Sequence, residues 1–241
     1  MIKAVYIFLL CIGASFVQRT TGFGFGIFIM TILPFLMPSL GEATTLSGIL
    51  ALTSSMMITF RMRQFITWKR LIPILVTFIL TSAVAISLLH SIQDHILKLS
   101  LGAVLIITSL YFIFCSNKIK VSTKLPMQIG AGCVSGFMGG FFGMQGPPAV
   151  LYFISSEPDK EHYMAIVSTY FLLGNGAMTI ARAANGFFTK TVMFDYICGL
   201  GGVAIGTAIG SWVFSRIPSK IFRYVVYAYI GISGIIVMFT A

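Results

Sequence analysis

A chain of 241 residues that is 57% hydrophobic and 9% charged, with a mean hydropathy of +0.97, matches neither a soluble globular domain nor a disordered one; the class left is a polytopic membrane protein. Its net charge of +10 sits mostly in short loops between apolar windows, so it reports membrane orientation and not nucleic-acid binding.

The first window runs over 4–41, with Arg19 its only charged residue. At 38 residues it is too long for one crossing of a ~30 Å hydrocarbon core. Its start, Met1-Ile2-Lys3 before an apolar run, has the outline of a signal peptide, but the run does not stop at a cleavage site and is read as part of the protein. Within it lies FVQRTTGFGFGIFIM, which places Gln18, Arg19, Thr20 and Thr21 directly before Gly22, Gly24 and Gly26. A cation beside helix-weakening glycines in an apolar run marks a break in the helix. Windows 43–60, 71–93 and 99–117 follow, each long enough for a single crossing. The second long window, 125–156, contains GGFFGMQGPP over 139–148, with Gly143, Met144, Gln145 and Gly146 at its centre. Single-crossing windows 162–181, 196–215 and 224–241 complete the chain. Cys11, Cys115, Cys133 and Cys198 lack metal-ligand spacing and read as packing residues; no metal or cofactor motif is present.

The chain repeats at an offset of about 121 residues. Arg61 falls on Arg182, Lys69 on Lys190 and Gly22 on Gly143. Residues 1–120 and 121–241 are then two repeats, each a broken segment followed by three helices. The loop 61–70 is strongly basic and its counterpart 182–190 weakly so, whereas 90–98 is nearly neutral and its counterpart 216–223 basic. That exchange of charge predicts an inverted-topology repeat. If each long segment crosses once, loop 216–223 lies outside. If each is a re-entrant hairpin, that loop joins 61–70 and 118–124 in the cytoplasm. The arms 4–18 and 24–38, each about 22 Å of helix, favour hairpins. Hairpins also place the acidic loop 157–161 inside, which the positive-inside rule weighs little. The fold class is thus all-α and polytopic, with two inverted repeats, each a broken or re-entrant hairpin plus three transmembrane helices.

Backbone groups freed by a break must be buried in protein or face a wet cavity. Two breaks meeting near the bilayer midplane would aim helix N-termini at one centre, and such termini suit anions. Arg19 adds a planar donor fork, and Gln18, Thr20, Thr21 and Gln145 add neutral donors. The competing reading of the glycines is close helix packing, and that of Arg19 is snorkelling from a helix end. Asn175 is either a ligand or an interhelical hydrogen-bond partner. Arg61 and Arg182 end their windows and read as interfacial anchors.

FVQRTTGFGFGIFIMTILPFLMP with EATTLSGILALTSS, and later SGFMGGFFGMQGPPAVLYF, resemble the two glycine-rich segments of the TauE/SafE family of sulfite-exporter-like permeases. The resemblance covers essentially the whole chain. It implies a multi-pass protein of the cell membrane, bacterial in type, that handles sulfite, organosulfonates or related small anions, with membrane lipid and the anion as its partners. The expected binding residues are Gln18, Arg19, Thr20, Thr21, Gly22, Gly24, Gly143, Met144, Gln145, Gly146 and Asn175. The alternative is an intramembrane enzyme acting on a lipid-linked phosphate. That enzyme needs a base or nucleophile beside the cation, and neither break holds a carboxylate or histidine. The same lack of a titratable group points to electrogenic efflux without obligatory proton exchange.

Overall fold

The computed structural model describes residues 2–114, 124–157 and 159–214, with isolated positions at 235 and 239. The expected helix 224–241, the loop 216–223 and Cys115 lie outside the described residues or almost so. The described residues form ten α-helices and no strand. These are α1 (Ile2–Thr21), α2 (Phe25–Ile29), α3 (Leu33–Leu36), α4 (Leu40–Met62), α5 (Trp68–Leu88), α6 (Asp94–Phe114), α7 (Leu125–Phe142), α8 (Gly146–Ser156), α9 (Lys160–Ala184) and α10 (Lys190–Phe214). Five of them are long and apolar enough to cross a membrane: α1, α4, α5, α9 and α10.

The helices run past the windows at their polar ends. Helix α5 begins at Trp68 and takes in Lys69 and Arg70, and α10 begins at Lys190. A charged residue ends a hydrocarbon span without ending the backbone hydrogen-bond ladder, so interfacial turns stay helical. The second arm of the first long segment, read as one helix over 24–38, is two short helices instead. Pro34 enters the first turn of α3 and brings no N–H, and the chain is already extended at Met37, the C-cap of α3.

Apolar side chains face outward. Val5, Tyr6 and Leu9 on α1, Val76, Leu80 and Val84 on α5, and Phe194, Ile197, Ile205, Ile209 and Trp212 on α10 are exposed, as a lipid-facing surface requires. Small and hydroxyl residues face inward: Thr44, Thr45, Ser47, Ser54 and Ser55 on α4 are buried. In lipid, helices gain nothing from burying leucine against leucine, so close backbone approach and interhelical polar contacts hold them together.

Three pairings organise the bundle. Helix α1 packs on α10, α5 on α7 and α4 on α9. Helices α1 and α10 run parallel: Lys3 pairs with Asp195 at 2.6 Å near both starts, and Arg19 reaches Ser211 near both ends. Helices α5 and α7 also run parallel, with Gly132 on Ile74 and Thr77, and Gly140 on Ser82 and Ala85. Helices α4 and α9 run antiparallel: Gly41 meets Phe187, while Gly176 meets Leu52. Asp94 accepts from the Leu40 N–H at 3.1 Å, and Glu42 accepts from Thr189 at 3.2 Å. The starts of α1, α4, α6 and α10 therefore share one end of the bundle. Lys124 opens α7 at the other end, where Arg70 forms an ion pair with Glu157 just beyond α8 at 3.1 Å.

Close approach is tightest where α7 meets α5. A Cβ on Gly140 would lie 2.5 Å from the Ala85 Cβ and 2.9 Å from the Ser82 carbonyl oxygen, whereas one on Gly130 meets nothing within 4 Å. Gly140→Ala is expected to destabilise the folded protein by about 1–3 kcal/mol through overpacking, while Gly130→Ala leaves it unchanged or slightly more stable. Thermal unfolding of the two purified variants in one detergent reads the difference; equal melting temperatures would remove this packing account.

Candidate functional site

Both breaks are built the same way. Helix α1 ends where Gly22 turns left-handed at φ 85° and its N–H bonds the Gln18 carbonyl at 2.8 Å. Helix α7 ends where Gly143 turns left-handed at φ 67° and its N–H bonds the Gly139 carbonyl at 2.9 Å. Only glycine takes this conformation at little cost. The two bonds stand 121 residues apart in the chain. Gly24 also has a positive φ, 96°, and the chain re-enters a helix at Phe25. In the second break the chain restarts at Gly146 with two prolines in the first turn, which removes two N–H groups that would otherwise need partners.

The breaks touch. A Cβ on Gly26 would collide with the Gly143 carbonyl oxygen. Around this junction lies a cavity of about 20 Å³, lined by Gln18, Gly24, Gly26, Gly143, Met144, Gln145, Gly146 and Asn175, among others. Ala51 and Phe171 also line it, and they stand close to the midpoints of α4 and α9. The cavity thus sits at half-height of the longest buried helices, with room for about one water. Gln18, Gln145 and Asn175 are all buried. The Gln18 amide donates to Ser55 at 2.9 Å, while the Oε1 atoms of Gln18 and Gln145 have no hydrogen-bond partner.

Of the eleven residues the sequence singles out, Gln18, Gly24, Gly143, Met144, Gln145, Gly146 and Asn175 line this cavity, and Arg19, Thr20, Thr21 and Gly22 do not. The hydroxyl of Thr20 turns back on its own helix, and that of Thr21 fastens the turn just beyond it. Thr20 donates to the Phe16 carbonyl at 2.8 Å, and Thr21 donates to the Phe23 carbonyl at 2.7 Å. Arg19 leaves α1 on the other side. Its Nε donates to Ser211 at 2.8 Å, and it lines a separate recess of about 280 Å³ with Arg61, Met57, Thr207 and Ser211. Phe25, Gly26, Ile27, Ala51 and Phe171 line the cavity without having been singled out. The GFGFG pattern could have placed Phe25 and Gly26, but Ala51 and Phe171 carry no signal before the helices are packed.

Arg182 requires a correction. As an interfacial anchor it should be exposed, but it is fully buried. Its helix continues to Ala184, and it lies under α4 and the end of α7. Its guanidinium donates to the carbonyls of Gly139 at 2.7 Å, Gly140 at 3.1 Å and Thr44 at 3.2 Å. The last carbonyls of a helix carry the negative end of its dipole, so a cation there is favoured. Arg61, read as an anchor in the same way, is exposed.

The chain belongs to the sulfite exporter TauE/SafE family, whose family model matches residues 7–237. No curated protein and no solved structure shows a significant match. Members of the family are permeases, so the chain is a multi-pass membrane transporter and not an enzyme, which sets aside the lipid-phosphate alternative.

The contact between the breaks gives a direct test. Gly26→Ala forces them apart, whereas a Cβ on Gly146 meets its nearest neighbour, Phe23, at an ordinary 3.6 Å. Gly26→Ala is expected to lower the melting temperature by several degrees, with an overpacking cost of about 1–3 kcal/mol, and Gly146→Ala to leave it near wild type. Equal melting curves would mean that the junction does not bear load.

Proposed function

We propose that this chain exports a small sulfur-containing or organic anion, of the sulfite or organosulfonate class, through the junction between two inverted repeats. The anion binds where the breaks meet, against Gln18, Gly24, Gly143, Met144, Gln145, Gly146 and Asn175. The observation that carries this reading is the contact of two broken helices at half-height, with three buried amides around it. An apolar membrane core has no structural use for three buried amides at one point, whereas the N–H groups of such amides are the donors that an oxyanion needs.

The inverted arrangement draws its support from the pairings. Exchanging the repeats maps α1 on α10 onto α7 on α5, and α4 onto α9. Helices α4 and α9 run antiparallel, so an axis that exchanges them lies across the helices, in the plane of the membrane. The first long segment starts and ends at one end of the bundle and the second at the other, which is the re-entrant reading. A cavity of about 20 Å³ is too small for an oxyanion, so loading requires the breaks to separate. The recess at Arg19 and Arg61 lies at the basic end and draws anions toward α1. Thr20, Thr21 and Gly22 shape the break and do not touch the ligand.

Two experiments test this. In a cysteine-depleted background, Ile2→Cys and Pro38→Cys are expected to label from one side of the membrane, and Gln64→Cys and Asp159→Cys from the other. Labelling of positions 2 and 38 from opposite sides would replace the hairpin with a single crossing. In proteoliposomes loaded with sulfite, an inside-negative potassium diffusion potential is expected to speed efflux, because each elementary charge gains about 2.3 kcal/mol per 100 mV. A rate indifferent to voltage and driven only by a pH gradient would refute electrogenic export.

A further inference from the structure

Arg182 is a permanent cation buried inside the bundle, on a helix long and apolar enough to cross a membrane, with no ion-pair partner among the described residues. Three carbonyls hold its Nη atoms, but its Nε has no hydrogen-bond partner. Carbonyl dipoles compensate such a charge only in part, and an unpaired buried charge is strongly destabilising. Directly against it is a notch in α4. A Cβ on Gly48 would lie 3.4 Å from Arg182 Nη1, 3.6 Å from Thr179 Oγ1 and 4.0 Å from Asn175 Oδ1. The missing side chain leaves a guanidinium, a hydroxyl and an amide facing one bare stretch of backbone. The Thr179 hydroxyl is buried and has no hydrogen-bond partner. Asn175 borders both the notch and the half-height cavity. Gln145, on the cavity wall, sits beside the same Gly139 whose carbonyl Arg182 holds.

We propose that Arg182 is the charge partner of the transported oxyanion, in a subsite formed with Gly48, Thr179 and Asn175 beside the cavity. This rests on the transporter reading above and adds to it the residue that selects for charge. In the closed state the guanidinium is held by the Gly139 and Gly140 carbonyls, and that grip keeps the end of α7 in place. An arriving oxyanion exchanges the guanidinium's bonds to neutral carbonyls for bonds in which donor and acceptor are both ionised. Arg182 then turns its donors to the anion, Thr179 donates its hydroxyl, and the end of α7 is released. Binding and opening are thereby coupled through one side chain.

The test is binding of sulfite and methanesulfonate to the purified full chain, followed by calorimetry. Gly48→Ala fills the notch at ordinary contact distances and so leaves the fold intact. It is expected to weaken both anions about tenfold or more, and Thr179→Val by several-fold. Arg182→Lys keeps the charge but cannot reach three carbonyls and an anion together, and is expected to bind more weakly than wild type while still preferring methanesulfonate to neutral dimethyl sulfone; Arg182→Gln should lose that preference. Unchanged affinities in both Gly48→Ala and Thr179→Val, in protein whose melting temperature matches wild type, would overturn the subsite while leaving the transporter reading standing. Failure of the wild type itself to bind or transport either anion would remove the sulfur-anion reading, and the subsite with it.

Discussion

Everything in this bundle follows from breaking two helices where no water can repair the damage. A break frees carbonyls at the end of one helix and N–H groups at the start of the next, and lipid satisfies neither. The chain answers with the same device twice, a left-handed glycine whose N–H returns to the residue four positions earlier, Gly22 to Gln18 and Gly143 to Gly139. The first break adds the hydroxyls of Thr20 and Thr21, and the second adds Arg182. Closing each break against the other removes both from lipid. That contact needs Gly26 and a bare carbonyl at Gly143, so the glycines serve to let the backbones touch.

The junction also dictates which helices lie around it. Each helix that ends at a break lies along an unbroken one, α1 along α10 and α7 along α5. The seam of α4 and α9 then lies behind the breaks, and its inward faces are small or polar because backbone must approach there. Ser47, Ala51, Ser54 and Ser55 are buried on α4, and Gly48 between them faces Asn175 and Arg182 on α9. Lipid needs apolar residues only on the outside, which makes the helices amphipathic in the opposite sense from those of a soluble protein.

Most of the architecture was legible in the sequence because its signals are local. Window length gave the helices, paired glycines gave the breaks, and the offset of Gly22 to Gly143 placed equivalent bonds. The site was legible only where the break itself forms the wall. Arg19 looked central because it was the only charge in 4–41, but a helix position one residue from Gln18 points about 100° away, and α1 turns Arg19 toward Ser211 while Gln18 faces Ser55. Arg182 looked peripheral because its window ends there. Hydropathy cannot register that α9 continues under the end of α7, or that three carbonyls await a cation. Such positions depend on which helix lies opposite, and that is a fact of packing.

The placement of charge bears on how transport is driven. None of the six carboxylates lines the cavity. Asp94 and Glu42 fasten the start of α4, Asp195 holds Lys3, Glu157 holds Arg70, and Asp159 caps α9. Each of these five is engaged at a helix end, Glu161 is exposed in the first turn of α9, and among the described residues the interior is left with amides, hydroxyls and an arginine that does not titrate. A site of that composition takes up no proton of its own when it loads. For the proposed export, the charge moved per cycle is then the charge of the anion, and for a negative interior the voltage favours outward movement by about 2.3 kcal/mol per charge per 100 mV. In the subsite proposed above, the arginine that makes the empty interior costly makes the loaded one neutral for a monoanion, so the ligand removes the barrier to its own passage.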